Sequence, residues 1–429
     1  MLEFVYAINR VMTISVLDWA LNRHVAGQRK PPYVPAAKRM LYMPASCLPH
    51  HISGYTTRTH EVIRALGEAG ADVQVLTRLG YPWDREDRLG QPEGEETVVD
   101  GVTYAHIRHP ANNRPALLFA LQAAGVIAKH ALRKRVGVIH AASNHVNALP
   151  ALLAARRLGI PFHYEMRGLW ELTRISRMPA YENSQGFKQG LELEGFVAQN
   201  ADRVYVISDQ LGKYMQEHWG IPSDRMALLP NCVNPMRFPP ADPQRVESNT
   251  IAYAGSLLAY EGLDVLIEAV AVLAKQGVDV QVKIVGDGEA KAALESLTIH
   301  FGLSDRIQFL GKLAPQAARE IQARCALVCI PRKPFKVCEI VPPIKLVEAM
   351  ALGKPVIVPD LAVFRDELGE HLGGWFFKAG DVADLARVIE HAFKDQCALA
   401  RAGAQARAYA TMQRNWRSHM ADMVKHLPG

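Results

Sequence analysis

Residues 326–358 read ALVCI-PRKPFKVCEIVPP-IKLVEAMALG-KPVIV, and the way this stretch divides decides the fold. Ala326–Ile330 and Pro355–Val358 are short apolar runs of the kind that form fully buried strands in a parallel sheet. Between them lie a loop and a short helix. Pro343 suits the first helical turn, Gly353 suits the C-terminal cap, and Pro355 opens the next strand. Lys345 and Glu348 then share one helix face close to the N-terminus. Such a helix start offers unpaired N–H groups and a lysine to a diphosphate, and a carboxylate able to accept from both hydroxyls of a ribose. The alternative for Glu348 is a solvated acid favoured by the helix dipole.

Working outward, the same alternation of short apolar runs and helical patterns begins at Arg39, the mark of βαβ units. A first series of strands is predicted at 40–43, 73–76, 138–140, 163–165 and 204–207. A polar break follows, and a second series is predicted at 250–254, 280–285, 307–310, 326–330 and 355–358. The fold class is therefore α/β, with two Rossmann-like domains in sequence. Two open sheets predict ligand binding beyond the carboxyl ends of their strands, in a cleft where the domains face each other. The expected division is 1–38, 39–240, 241–408 and 409–429, the last being a helix packed back on the first domain.

The chain has 429 residues, long enough for two cores. Its 49% hydrophobic and 21% charged fractions are ordinary for a globular protein. Six scattered cysteines show neither a disulfide framework nor a zinc pattern. A net charge of +6 falls short of a nucleic-acid-binding signature. The N-terminal residues show no leader pattern and no apolar run of membrane-spanning length is seen, so a cytoplasmic protein is expected, with the inner membrane face as a further option. In residues 1–38, Phe4, Ile8, Val11, Ile14, Leu17 and Leu21 recur at helical spacing, followed by Arg23, Arg29 and Lys30. This amphipathic helix either packs on protein or lies as a peripheral contact on a membrane.

Several further segments carry a pattern jointly: Ala201-Asp202-Arg203-Val204 leading to Ser208, Leu229-Pro230-Asn231, Val285-Gly286-Asp287-Gly288, Phe309-Leu310-Gly311 and Gly380–Ala386. With Glu339–Pro355, they resemble the donor-site signature of the family 4 retaining glycosyltransferases, enzymes of the GT-B fold. The resemblance spans roughly residues 39–425. It implies a nucleoside-diphosphate sugar of UDP or GDP type as donor substrate, no cofactor, and a glycan or lipid-linked acceptor in bacterial surface polysaccharide synthesis. It further implies that Glu348 holds the donor ribose, Glu339 faces the sugar ring and Lys345 sits by the diphosphate. Leu313, Ile344 and Leu346 would line the donor site.

Two departures from the family pattern stand out. Eight residues separate Glu339 from Glu348 where seven are usual, which puts Ile340 at the usual place of the first glutamate. In Ala254–Gly262, relatives carry an arginine after the glycine and a lysine before the last glycine, whereas this chain has Ser256 and Glu261. Arg332 and Lys345 are expected to supply the missing positive charge beside Gly255, Ser256 and Gly286; an exposed loop charge is the other reading of Arg332.

In the first half, Gly54 opens a helix after the first strand, where either a diphosphate or a tight turn accounts for it. Arg58 and His60, on that helix, face either an acceptor or solvent. Arg167 falls where relatives often place a histidine on the donor sugar, and Glu165 beside it is a candidate towards the acceptor. His140, Ser143, Asn144, His145 and Asn147 suit sugar hydroxyls or a hydrogen-bonded loop equally. No Asp-x-Asp motif is present, so no metal requirement is expected. The expected reaction is hexosyl transfer with retention by front-face attack. A nucleotide-sugar 2-epimerase and a non-catalytic carbohydrate-binding protein of the same fold are the alternatives.

Overall fold

The computed structural model describes residues 2–25, 30–85, 94–369 and 373–428. The chain divides into two compact units, Met1–Pro230 with Trp416–Gly429, and Asn231–Asn415.

The first unit runs α1 (Leu2–Val25), β1 (Arg39–Met43), α2 (Gly54–Glu68), β2 (Asp72–Leu76), β3 (Glu96–Val99), β4 (Val102–Ala105), α3 (Ala116–Lys134), β5 (Val138–Ala142), α4 (His145–Leu158), β6 (Phe162–Met166), α5 (Trp170–Ile175), α6 (Gln185–Gln199), β7 (Arg203–Val206), α7 (Asp209–Trp219) and β8 (Met226–Leu228). Its sheet has the order β3-β4-β2-β1-β5-β6-β7-β8. Every pairing is parallel except β3 with β4. Strands β5 and β6 are buried at every position, as expected where helices cover both faces.

The β3–β4 hairpin was not among the expected strands, although its turn, Asp100-Gly101, is a strong two-residue hairpin signal. Both residues take the positive φ that such a turn needs, 46° and 80°. The strands themselves are half exposed and carry no continuous apolar run.

Helix α1 packs against α4 and α6, and Thr13, Leu17, Ala20 and Leu21 on it are buried. Of the expected apolar stripe, Leu17 and Leu21 are thus covered by protein and Ile14 is half-buried, while Val11, and Trp19 beside it, face outward. The side chains of Phe4 and Ile8, and Arg29 altogether, lie outside the described residues. Helix α3 is long and apolar enough to span a membrane by length and composition. It packs on α4, burying Phe119, Ala123, Ala124, Ile127 and Ala131.

The second unit comprises β9 (Glu247–Ala254), α8 (Leu263–Lys275), β10 (Gln281–Val285), α9 (Lys291–His300), β11 (Ile307–Phe309), α10 (Pro315–Arg324), β12 (Cys325–Cys329), α11 (Lys336–Ile340), α12 (Ile344–Ala351), β13 (Val356–Pro359), α13 (Ala362–Leu368), β14 (Gly374–Phe377), α14 (Val382–Lys394) and α15 (Gln396–Gln413). The sheet is parallel throughout, with the order β11-β10-β9-β12-β13-β14. Its core joins the inner faces of β9, β10 and β12 to α8 and α14. Residues 231–240, expected in the first half, belong here: the Arg407 guanidinium on α15 donates to the Phe238 carbonyl at 2.8 Å. The last helix, α16 (Trp416–Lys425), belongs to the first unit and packs on α2.

Candidate functional site

In the second unit, the turns after β9 and β10, the loop after β12 and the start of α12 meet at the carboxyl ends of the strands. Glycine makes this possible. The Gly255 N–H donates to the Val285 carbonyl at 2.9 Å. Gly286, with φ of +144°, lies so close that a Cβ there would overlap the Gly255 carbonyl oxygen. A Cβ on Gly255 would in turn come within 2.7 Å of Lys345 Nζ. Two strand-end turns therefore press together and leave room for one ammonium group.

That ammonium is bound within the unit. Lys345 Nζ donates to the Tyr253 hydroxyl at 2.6 Å and pairs with Glu261 at 2.9 Å. Arg332 grips the same carboxylate with two nitrogens, at 3.0 and 3.2 Å, and donates to the Val341 carbonyl at 2.9 Å. Glu261 is 3% exposed and Arg332 8%, so Arg332 is not an exposed loop charge. Local geometry dictates the meeting. Gly262, with φ of +73°, lets the turn bearing Glu261 lie against the Pro331 carbonyl, where a Cβ would collide. The Lys333 N–H then donates to the Tyr260 carbonyl at 3.0 Å, fixing loop to turn.

Two cations against one carboxylate leave this cluster with net positive charge. Burial alone would raise the Glu261 carboxyl, yet Arg332 and then Lys345 outweigh it and hold it at about 2. Burial pushes the Lys345 ammonium below its usual value, with Glu261 pulling against it. Arg332, which burial would lower, is raised by Glu261. Glu261 was legible in the sequence only as a missing lysine; its role as shared counter-ion, and the part of Tyr253, required the fold.

Helix α12 has no side-chain cap at its N-terminus. The Asn231 amide donates to the Pro342 carbonyl at 2.9 Å and so steadies the chain entering the helix. Ile344, Lys345 and Glu348 are partly exposed there, while Leu346 faces the core. Ser256 is exposed, and its carbonyl accepts from the Tyr253 hydroxyl at 2.9 Å. Leu313, in the loop after β11, is 37% exposed. Glu339 lies on the separate short helix α11 and pairs with Lys336 at 3.1 Å. It makes none of the cluster's contacts described above, and Ile340 beside it is buried.

The first unit rearranges several expectations. Arg167, expected on a donor sugar, and Arg58 and Glu165, expected towards an acceptor, form one buried ionic group. Arg167 Nε and Nη2 each reach Glu165 at 2.9 Å, Nη1 reaches Thr59 at 2.7 Å and Tyr55 O at 3.3 Å, and Nη2 also meets the Tyr42 hydroxyl. Every guanidinium nitrogen thus has a protein acceptor. Arg58 donates to Glu165 Oε1, the oxygen that Arg167 Nε also reaches, at 2.9 Å, and to the Leu229 and Pro230 carbonyls, both at 2.7 Å. Its guanidinium lies over the Trp416 ring of α16 at 5.1 Å. Buried charges persist only when paired and hydrogen-bonded, and this group satisfies that demand internally. Burial would raise the Glu165 carboxyl, but Arg167 and Arg58 hold it well below the usual range.

His60 is likewise interior, with Nδ1 at 2.9 Å from the Tyr104 hydroxyl. Gly54 begins α2 behind a Ser53 capping box and takes no positive φ. Asn144 precedes α4, half-buried, without a side-chain cap bond. Of its neighbours, Ser143 accepts from the Arg167 N–H at 3.2 Å, and the Asn147 amide donates to Met43 O at 2.7 Å and Ala142 O at 2.9 Å. This is the hydrogen-bonded-loop alternative. His140 stands 3.3 Å from Glu165.

Among solved structures, the fold is similar to that of the sucrose-phosphate synthase from Thermosynechococcus elongatus (TM-score 0.73, 18% identity, 90% of this chain and 98% of that one). It is also similar to Anabaena HepE in complex with UDP-glucose (TM-score 0.67, 18% identity, 91% and 100%). In sequence, it is 24% identical over 358 residues to the 2-deoxystreptamine glucosyltransferase of Streptomyces kanamyceticus, spanning 77% of this chain and 87% of the relative. The class that fold and sequence define is a glycosyltransferase with the GT-B fold. The profile described as "Glycosyl transferases group 1" matches residues 238–409, and that of the "Glycosyl transferase 4-like domain" matches residues 53–232. The chain belongs to glycosyltransferase family 4.

Proposed function

We propose that the protein transfers a hexosyl unit, with retention, from a nucleoside-diphosphate sugar to a hydroxyl of a glycan or lipid-linked acceptor. The observation that carries this reading is the net-positive Arg332–Glu261–Lys345 cluster beside Gly255, Gly286 and the uncapped start of α12. In this reading the diphosphate accepts from the α12 N–H groups and is balanced by Lys345 and Arg332, without a metal, while Glu348 accepts from the ribose. The UDP-glucose bound by the similar Anabaena protein supports a nucleotide-sugar donor.

As the bond from the anomeric carbon to the diphosphate oxygen breaks, negative charge grows on the leaving group and positive charge on the sugar. Fixed cations stabilise the former without reorganising. The acceptor oxygen attacks from the same face, and its proton passes to a donor phosphate oxygen.

Calorimetry with UDP and GDP, on the wild type and on Glu348→Ala and Lys345→Ala, tests the assignment. Glu348→Ala is expected to weaken nucleotide binding about tenfold, the loss of a charge-assisted hydrogen bond. Lys345→Ala is expected to lose turnover by about 100-fold, more than it loses nucleotide affinity. Wild-type nucleotide affinity in Glu348→Ala removes that residue from the ribose. Incubation of the donor alone checks the reaction class: slow hydrolysis is expected, and rapid conversion to a sugar epimer rejects transfer.

A further inference from the structure

His145, at the start of α4, Glu171 on α5 and Glu194 on α6 bring one ring nitrogen and two carboxylates together, their ligand atoms all within 4.8 Å of one another. All three residues are buried: His145 is 8% exposed, Glu171 3% and Glu194 0%. His145 Nδ1 lies 3.0 Å from Glu194 Oε1 and 3.9 Å from Glu171 Oε1. A metal ion about 2.1 Å from each ligand in tetrahedral geometry sets ligand–ligand edges of about 3.4 Å, between those two separations.

The second observation is an orphan atom. Glu171 Oε2 is buried and has no hydrogen-bond partner. A carboxylate oxygen without a donor is costly in the interior. Burial, and then the neighbouring Glu194, push the Glu171 carboxyl up to about 7, with His145 pulling against them; no lysine or arginine is among the charged groups acting on it, unlike Glu165 and Glu261, each held by two cations.

The supporting contacts orient the ligands. Glu194 accepts from the His145 backbone N–H at 2.7 Å and from the Tyr164 hydroxyl, which fixes its carboxylate. Gly190 on α6 is the reason Glu171 fits, since a Cβ there would overlap its carboxylate. Oriented ligands held by an outer layer of hydrogen bonds are what metal sites use.

We propose that His145, Glu171 and Glu194 form a binding site for one divalent transition-metal ion of the zinc type in the first unit. The ligands would be His145 Nδ1, one oxygen of Glu194 and the Glu171 carboxylate that carries the orphan Oε2, with water as the fourth. An imidazole with two carboxylates suits zinc or manganese better than magnesium, which prefers oxygen ligands alone and keeps its waters. The site binds the first unit's α4, α5 and α6 together. All three residues belong to the first unit, whereas Arg332, Lys345 and Glu348 belong to the second.

The test uses the full-length protein, stripped with chelator and then dialysed against zinc chloride, magnesium chloride or no metal. Metal content is read by elemental mass spectrometry and stability by thermal unfolding. About one equivalent of zinc per chain is expected to be retained, with a rise in Tm that chelator reverses and that magnesium does not reproduce. Cobalt in place of zinc is expected to give the visible absorption of a four-coordinate ion. Glu171→Gln, close in shape, is expected to lose the zinc, the absorption and the Tm response together. If a proton alone balances the pair, Glu171→Gln imitates the protonated acid and is at least as stable as wild type, and zinc leaves the wild-type Tm unchanged. That outcome overturns the proposal, as does stoichiometric zinc binding that survives in Glu171→Gln.

Discussion

Replacing Glu261 by glutamine removes the one negative charge that Arg332 and Lys345 share, while keeping the shape of the side chain. The carboxyl is held at about 2 against an ordinary 4.5, and the group is almost fully buried. Because the folded value is depressed, the contribution is present above the unfolded pKa and is lost as pH falls towards the folded one. That depression corresponds to roughly 3 kcal/mol at pH 7. At pH 3 the unfolded state is almost fully protonated while the folded state is largely ionised, and linkage leaves roughly 1 kcal/mol.

Glutamine does not titrate in this range and stands in for the protonated acid. The stability gap between wild type and Glu261→Gln is therefore expected to be about 3 kcal/mol at pH 7 and to shrink by about 2 kcal/mol at pH 3. Urea unfolding followed by circular dichroism measures this, read on the transition that the substitution moves. The two units can unfold in separate steps, so the transition of the second unit is the relevant one. A gap below about 1 kcal/mol at pH 7, or one that does not change with pH, refutes the view that this carboxylate is the cations' shared counter-ion.

Gly286→Ala is expected to destabilise the second unit by about 3 kcal/mol, because the new Cβ meets backbone that has nowhere to move; a wild-type Tm, with unchanged nucleotide affinity in calorimetry, contradicts the close approach of the two turns. Arg58→Met is expected to cost about 3 to 5 kcal/mol through loss of half the charge around Glu165 and of two backbone bonds. If that variant keeps its stability but loses affinity for acceptor, Arg58 faces the acceptor after all.

Much of the fold was legible because parallel strands buried on both faces appear as short apolar runs between helical patterns. Residues 40–43, 250–254 and 326–330 gave β1, β9 and β12 in this way. Strand β14, Gly374–Phe377, and the three-residue β8 were too short or too mixed for such a signal. The Asp100-Gly101 turn carries a hairpin signal, but the strands beside it carry no continuous apolar run. For the candidate site, periodicity placed Lys345 and Glu348 on one helix face, since three residues along a helix return to the same face; it left Glu348 open between a ribose contact and a solvated position, and the expectation for Arg332 rested on the two cations missing from the family pattern.

Side-chain identity cannot say which charge meets which, because ion pairs between residues far apart in sequence exist only once the strands are in register. Arg167 carried the same sequence signal as Arg332, an arginine just past a strand end, and Arg58 lay one turn into the helix after the first strand. Arg58 and Arg167 close on Glu165 and on backbone carbonyls deep in the first unit, whereas Arg332 shares Glu261 with a lysine at an uncapped helix start. The sequence by itself determined two parallel α/β units and the helix carrying Lys345 and Glu348, because periodicity and glycine placement are local. Only tertiary structure decided which buried charges meet, because that depends on distances of a few ångströms between segments far apart in the chain.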